Sequence, residues 1–386
     1  MKLAKFSDFY IVIFLTGIGH FISFIFFPIA SSHIETSNLA NIARFESYLV
    51  LLISILSFGV NSTATRDVAL NENFIDVVKK VQSSRITLSL IISISSFFYG
   101  IISGFNLGVF VFCLAPIFAL NFDFILYGIG KPLSAAVASF VRLSLPMILF
   151  LILIYLFELN SFIYIIITLF FYVFSVFLVA KSAEAPVFYP PRLNFFNSYL
   201  SSFSIGFTGL ALAFLRPGYL PFLADHLNSR EIIEFIYFSK FCLLAVAARR
   251  ILIQYFYVWI ANNLTKYQID IFLIFVGLFV LATSFQFGVL LEIAGLETNL
   301  TDYFFVCCGA AFFSIMLSGT SDAKLILKSR DTVFLFIHIV PIFAGILIFL
   351  IIDFNKLNVL LYLVFIEFCI SLTCQFYIIY CKDQNE

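Results

Sequence analysis

Apolar runs long enough to cross a bilayer, parted by short polar connections, recur along almost the whole of the 386-residue chain. A spanning helix needs roughly 20 predominantly apolar residues. By that measure spans are expected near 9–30, 42–60, 86–105, 107–127, 133–157, 161–180, 200–221, 232–260, 269–291, 302–319, 332–352 and 357–380. The pattern predicts an all-α polytopic membrane protein of about twelve helices. The first run is too long for a cleaved leader and is expected to be retained.

The polar connections carry charge unequally. Lys2 and Lys5 precede the first span, and Arg66, Lys79, Lys80 and Arg85 fall between the second and third. The same alternate set continues with Lys131, with Lys181 and Arg192, with Lys266, with Lys324, Lys328 and Arg330, and with Lys382. The opposite set holds Arg230 and Lys356. Basic residues accumulate on the cytoplasmic side, so both termini are expected there. The connection 182–199, with Pro186, Pro190 and Pro191, reads as a cytoplasmic linker between an N-terminal six-helix half, 1–181, and a C-terminal half, 200–386. Gly17 and Pro28 lie eleven apart in the first span, as Gly206 and Pro217 do in the seventh. That echo fits both a repeat and coincidence. Two parallel halves would place a central cavity between them.

Composition sharpens the class. Charged residues make up 11% of the chain and mean hydropathy is +1.08, where soluble domains carry about 25% charge. No large soluble domain fits. The formal net charge is zero, which gives no reason to expect a nucleic-acid partner. The 54 phenylalanines read as compositional bias. The seven cysteines lie in or beside apolar spans and read as small apolar fillers. No histidine stands at metal-ligand spacing, so no metal or cofactor is expected. His20 could line a cavity or be satisfied by a neighbouring helix.

Some charges fall inside the expected spans, where a cation costs at least ~2.5 kcal/mol on insertion scales. These are Arg142, Arg216, Lys240, Arg249 and Arg250. At 100° per residue, Lys240 and Arg250 project within about 80° of each other and Arg249 points away. Arg216, Lys240, Arg250 and Arg142 are the candidate lumen cations for an anionic substrate. For Arg249 and Arg250 the competing reading is an anchor at the inner headgroups. The intramembrane acids are Glu46, Asp123, Glu234 and Glu367. Asp123, Glu367 and Glu46 are candidates for ion pairing or for coupling to H+ or Na+. For Glu367 a pairing with Arg142 and a relay role both stand open. There is no nucleotide-binding glycine loop, and no outer loop is long enough for a catalytic centre.

Two stretches carry a family resemblance. Phe58-Gly-Val-Asn-Ser-Thr-Ala-Thr-Arg-Asp-Val-Ala69 resembles the end of the second span in Wzx-type O-antigen flippases. Leu120-Asn-Phe-Asp-Phe-Ile-Leu-Tyr-Gly-Ile-Gly-Lys131 resembles a second signature of that family, keeping its Asn, aromatic, Gly and later base without its Trp, Gln and Glu. The resemblance implies a fold shared with multidrug exporters (MATE, within the MOP superfamily) and lipid II flippases. It implies movement of an undecaprenyl-diphosphate-linked oligosaccharide, an O-antigen or capsule repeat unit, from the inner to the outer leaflet. The partners implied are that lipid-linked oligosaccharide, membrane lipids, a polysaccharide polymerase and a chain-length regulator. Arg66 would either meet the diphosphate at entry or cap a helix end beside Asp67. The alternatives are a membrane polysaccharide polymerase or polyprenol-sugar glycosyltransferase, and a cation-coupled multidrug exporter.

Overall fold

The computed structural model describes residues 6–70, 74–157, 159–192, 196–213, 215, 228–255, 260, 267–286, 302–327, 330–349 and 356–380. Among these the chain is mostly helical, without strands. Eight helices are long and apolar enough to cross a membrane, and a bent pair, Leu107–Cys113 with Ala115–Gly128, would make a ninth. The protein is therefore a multi-pass membrane protein of the all-α class. The expected stretches at 200–221 and 332–352 hold shorter apolar helices within the described residues, Phe203–Ala213 and Thr332–Ala344. The stretch at 232–260 holds a long helix that carries charge, Ser229–Tyr255. By internal contacts the chain divides into two compact units, 1–233 and 234–386.

The first unit runs α1 (Phe6–Ser31), α2 (Thr36–Ser57), α3 (Val60–Leu70), α4 (Phe74–Ser103), α5 (Leu107–Cys113), α6 (Ala115–Ala119), α7 (Phe124–Gly128), α8 (Pro132–Leu143), α9 (Leu145–Ile154), α10 (Ser161–Ala183), α11 (Phe196–Leu200) and α12 (Phe203–Ala213). The signals that start and stop these helices are local. Asn106 accepts a hydrogen bond from the Val109 amide and caps α5, and Asn160 does the same for α10 through the Phe162 and Ile163 amides. Such caps satisfy orphan N–H groups of the first turn. Pro132 and Pro146 stand in the first turns of α8 and α9, where a missing N–H costs nothing. Pro28 sits inside α1; Pro217 and Pro221, also expected to bend a helix, lie outside the described residues.

A sharp break separates α2 from α3, with Phe58 and Gly59 both at positive φ, 26° and 75°. The break lets α12 approach closely: a Cβ built on Gly59 would stand 2.5 Å from the Gly206 nitrogen. Thr63 and Ser202 share a hydrogen bond of 2.9 Å across the same contact, and the Tyr199 hydroxyl donates to Leu56 O at 3.0 Å.

The two stretches that carry the family resemblance meet here. Thr65 of α3 donates to the Phe124 carbonyl at the start of α7, 3.2 Å away. Val60, Ala64 and Val68 join Phe122, Phe124, Ile125 and Leu126 in one buried core with Tyr189 and Tyr199. Their side chains are packing residues first. The connection 182–199 folds onto this core as well over its described residues 182–192: Gln82 donates to Val187 O at 2.9 Å, and the Arg192 amide donates to Thr87 at 3.0 Å.

The second unit holds most of α13 (Ser229–Tyr255), then α14 (Gln268–Thr283) with a short turn Ser284–Gln286, α15 (Asp302–Leu317), α16 (Ser321–Leu327), α17 (Asp331–Phe349) and α18 (Lys356–Tyr380). Helix α15 packs against α14 and α18. It stops at Ser318-Gly319-Thr320, where Gly319 takes φ +53°, a left-handed stop that glycine makes without a Cβ penalty. Helix α16 then resumes, so the expected tenth span is a broken helix.

Candidate functional site

Each unit breaks a helix in its interior and gathers charge at the break. Freed backbone groups inside a membrane protein must find partners, and these side chains supply them.

In the first unit the break is Leu120–Asp123, between α6 and α7. Arg85 of α4 reaches it with a side chain almost wholly buried, at 1% exposure. One guanidinium nitrogen donates to Asn121 O and another to Phe118 O. Sequence reasoning placed Arg85 in a cytoplasmic connection. The correction follows from the helix: α4 begins at Phe74, well before the apolar run, and carries Arg85 inward. On the other side of the break Arg142 of α8 forms an ion pair with Asp123 at 2.8 Å. The Arg142 guanidinium also lies 5.4 Å from the centroid of the Tyr172 ring, within cation–π range. Asn121 ties the pieces together by donating to Asp123 at 3.3 Å. Two arginines thus converge on a six-residue stretch that supplies one carboxylate.

In the second unit the break is Ser318–Thr320. Asp270 of α14 caps the start of α16, accepting from the Thr320 amide at 2.5 Å and its hydroxyl at 2.8 Å. Its other oxygen pairs with Lys324 at 2.7 Å, with side chains 4% and 2% exposed. The Lys324 ammonium also lies 4.6 Å from the Tyr267 ring centroid. Beside this pair, Asp322 accepts from Arg249, which also donates to Ile315 O at 3.3 Å. His338 of α17 and Cys374 of α18 face the other Asp322 oxygen at 3.6 and 3.5 Å. Asp322, His338 and Cys374 are the three side chains among the described residues whose donor atoms are close enough to share a metal ion. They come from three helices, so spacing along the chain does not show them.

The sequence-derived candidates distribute as follows. Arg142 and Asp123 are brought together, which gives Arg142 a partner other than Glu367. Glu46 is buried and accepts from the Tyr164 hydroxyl at 2.5 Å. Glu367 is buried in α18 at 3% exposure. On α13, Lys240 is half-buried and Arg250 exposed, while Arg249, weighed as an anchor, turns inward to Asp322. The backbone of Arg66 lies in α3 and its side chain is outside the described residues, as is the whole of Arg216. Sequence reasoning did not make Arg85, Asp270, Asp322, Lys324, His338 or Cys374 a candidate site residue.

No protein-family model matches the chain, and no curated protein does. Solved structures do. An outward-facing multidrug-resistance MATE family transporter of the MOP superfamily aligns over 97% of this chain and 96% of its own, with a TM-score of 0.62 and 13% identity. The fold is that of the MATE transporters. An inward-facing MATE structure aligns over 98% of this chain and 100% of its own, also at 0.62, with 11% identity. The MATE multidrug transporter DinF-BH, solved as a complex, aligns over 98% and 94% at 0.63, with 12% identity. Helix breaks lined with charge therefore sit in a MATE scaffold, and such irregular backbone within a bilayer is tolerated where protein buries it or a cavity hydrates it.

Proposed function

We propose that the protein is an alternating-access flippase for an anionic lipid-linked oligosaccharide, carrying an undecaprenyl-diphosphate-linked repeat unit to the outer leaflet of a bacterial inner membrane. The reading includes twelve spans, cytoplasmic termini and two six-helix halves, 1–181 and 200–386, joined by 182–199. Support for a repeat comes from the matching broken helices. In each, an acid at or just past the break, Asp123 or Asp322, faces a nitrogen-bearing side chain of the following helix, Arg142 or His338.

The observation that carries the substrate class is the convergence of Arg85 and Arg142 on a stretch with one carboxylate. That arrangement leaves the break positively charged. Arginine suits a diphosphate because its planar fork can donate two parallel hydrogen bonds. Lys240, Arg216 and Arg250 are proposed to add the same chemistry to substrate binding, and Arg66 is the proposed contact at substrate entry. Coupling to H+ or Na+ falls to Asp123, Glu46 or Glu367. The polysaccharide polymerase and chain-length regulator are the proposed partners.

The test is surface polysaccharide in a strain that depends on this protein. A hydrogen bond to a charged group is worth about 1.5–3 kcal/mol, so Lys240→Ala and Arg216→Ala should each lower export by roughly tenfold or more with the protein still inserted. Unchanged polysaccharide in both would refute the basic path.

A second reading, a cation-coupled multidrug exporter, is favoured by the buried acids Glu46, Asp270 and Glu367. Export of a cationic dye that stops in Glu46→Gln or Glu367→Gln would select it over the flippase.

A further inference from the structure

We propose that Asp322, His338 and Cys374 form a binding site for a divalent cation of the zinc class. The argument starts from the histidine. His338 Nδ1 lies 2.7 Å from the Phe334 carbonyl. A carbonyl only accepts, so Nδ1 carries a proton and Nε2 is the nitrogen placed to coordinate. That nitrogen faces Asp322 Oδ1, 3.6 Å away. The Cys374 thiol reaches the same oxygen and donates to it at 3.5 Å, so an imidazole nitrogen, a carboxylate oxygen and a sulfur from three helices face one another.

The spacing is right for a metal. Zinc-class ions hold nitrogen and oxygen at about 2.0–2.1 Å and sulfur at about 2.3 Å, so neighbouring tetrahedral ligands stand roughly 3.3–3.6 Å apart. The observed 3.6 Å from Asp322 to His338 and 3.5 Å from Asp322 to Cys374 match those edges. All three donor atoms lie within 4.8 Å of one another.

The surroundings fit the same purpose. A ligating histidine usually donates its other N–H to a carbonyl or carboxylate, as His338 does to Phe334. A ligating carboxylate is usually held by a hydrogen bond, as Arg249 holds the far oxygen of Asp322. The donor set of thiolate, imidazole and carboxylate suits zinc and disfavours Mg2+ or Ca2+. Binding releases the Cys374 thiol proton to solvent, since the thiolate is the ligand. Three protein donors leave a fourth position. Metal bound there would clamp α16, α17 and α18 together and so hold one arrangement of the second unit.

The experiment uses the full chain in detergent, stripped with a chelator and titrated with Co2+. One equivalent should bind with a thiolate-to-cobalt charge-transfer band in the near ultraviolet. Cys374→Ser should abolish the band, and His338→Ala should weaken binding at least tenfold. X-ray absorption of the zinc-loaded wild-type protein provides a reading that needs no variant. It should show one sulfur at about 2.3 Å with light ligands at about 2.0 Å. Absence of the band from the wild type, its persistence in Cys374→Ser, or a zinc shell with no sulfur or with several would overturn the site.

Discussion

Replacing Asp270 with alanine should destabilise the protein by about 3–5 kcal/mol, the usual cost of removing one partner from a buried ion pair. The estimate rests on two losses at once. Lys324 is 2% exposed and would keep its ammonium in a low-dielectric interior without the carboxylate 2.7 Å away. The Thr320 amide and hydroxyl would lose the acceptor that caps α16. Two further variants separate these losses. Asp270→Asn keeps an oxygen for Thr320 while removing the charge, so it should recover only the capping share. Adding Lys324→Met to Asp270→Asn removes the buried ammonium and should restore most of the remaining stability, because apolar replacements of buried pairs are often near neutral. Melting temperature in detergent reads all three. A double variant no more stable than Asp270→Asn would show that the charge is not what the pair satisfies.

That pair also shows where the sequence was legible and where it was not. Hydropathy located the eight or nine helices among the described residues that are long and apolar enough to cross a membrane, because a span needs a long apolar run. It misplaced charges near the ends of the runs. Arg85 and Lys324 looked like cytoplasmic loop bases because each lies outside an apolar run. Helix α4 begins before its run and α16 resumes after the break that ends its run, and both side chains are buried. Asp270 stands in the first turn of α14, where an acid is ordinary. Only the approach of Thr320 and Lys324 from another helix makes it more than that. A usable signal was present in Ser318-Gly-Thr-Ser-Asp322, a cluster of small polar residues around a glycine inside an apolar stretch, which marks a break. Asp123 and Arg142 were both noticed as intramembrane charges, but their pairing depends on how α7 and α8 fold against each other. The stretch 58–69 was legible only as a resemblance. That its side chains pack against 120–131 becomes visible only in three dimensions.

Gly206→Ala is the second large effect expected, and its cause is backbone rather than charge. A Cβ at Gly206 would overlap the Phe58 carbonyl oxygen and stand 2.6 Å from its carbon. A flexible side chain could swing aside, but a carbonyl held in the α2–α3 break cannot. Phe58 and Gly59 already occupy left-handed conformations, so that turn has few alternatives. The added methyl must therefore push α12 away. Doing so stretches the Thr63–Ser202 bond, now 2.9 Å, and disturbs the ring contacts of Phe58 with Tyr199 and Phe203. Overpacking of this kind costs about 1–3 kcal/mol, seen as a lower melting temperature in detergent. Gly209→Ala is the control, because nothing lies within 4 Å of its Cβ position on the same helix. In a helix interior, alanine is favoured over glycine by roughly 0.8–1 kcal/mol, so the control should be neutral or slightly stabilising. Equal losses in the two variants would mean that α12 tolerates no substitution for some reason other than the contact with the break. A loss at Gly206 alone would place the strain at Phe58-Gly59, and export measured on the same variant would then report whether transport depends on α12 remaining seated there.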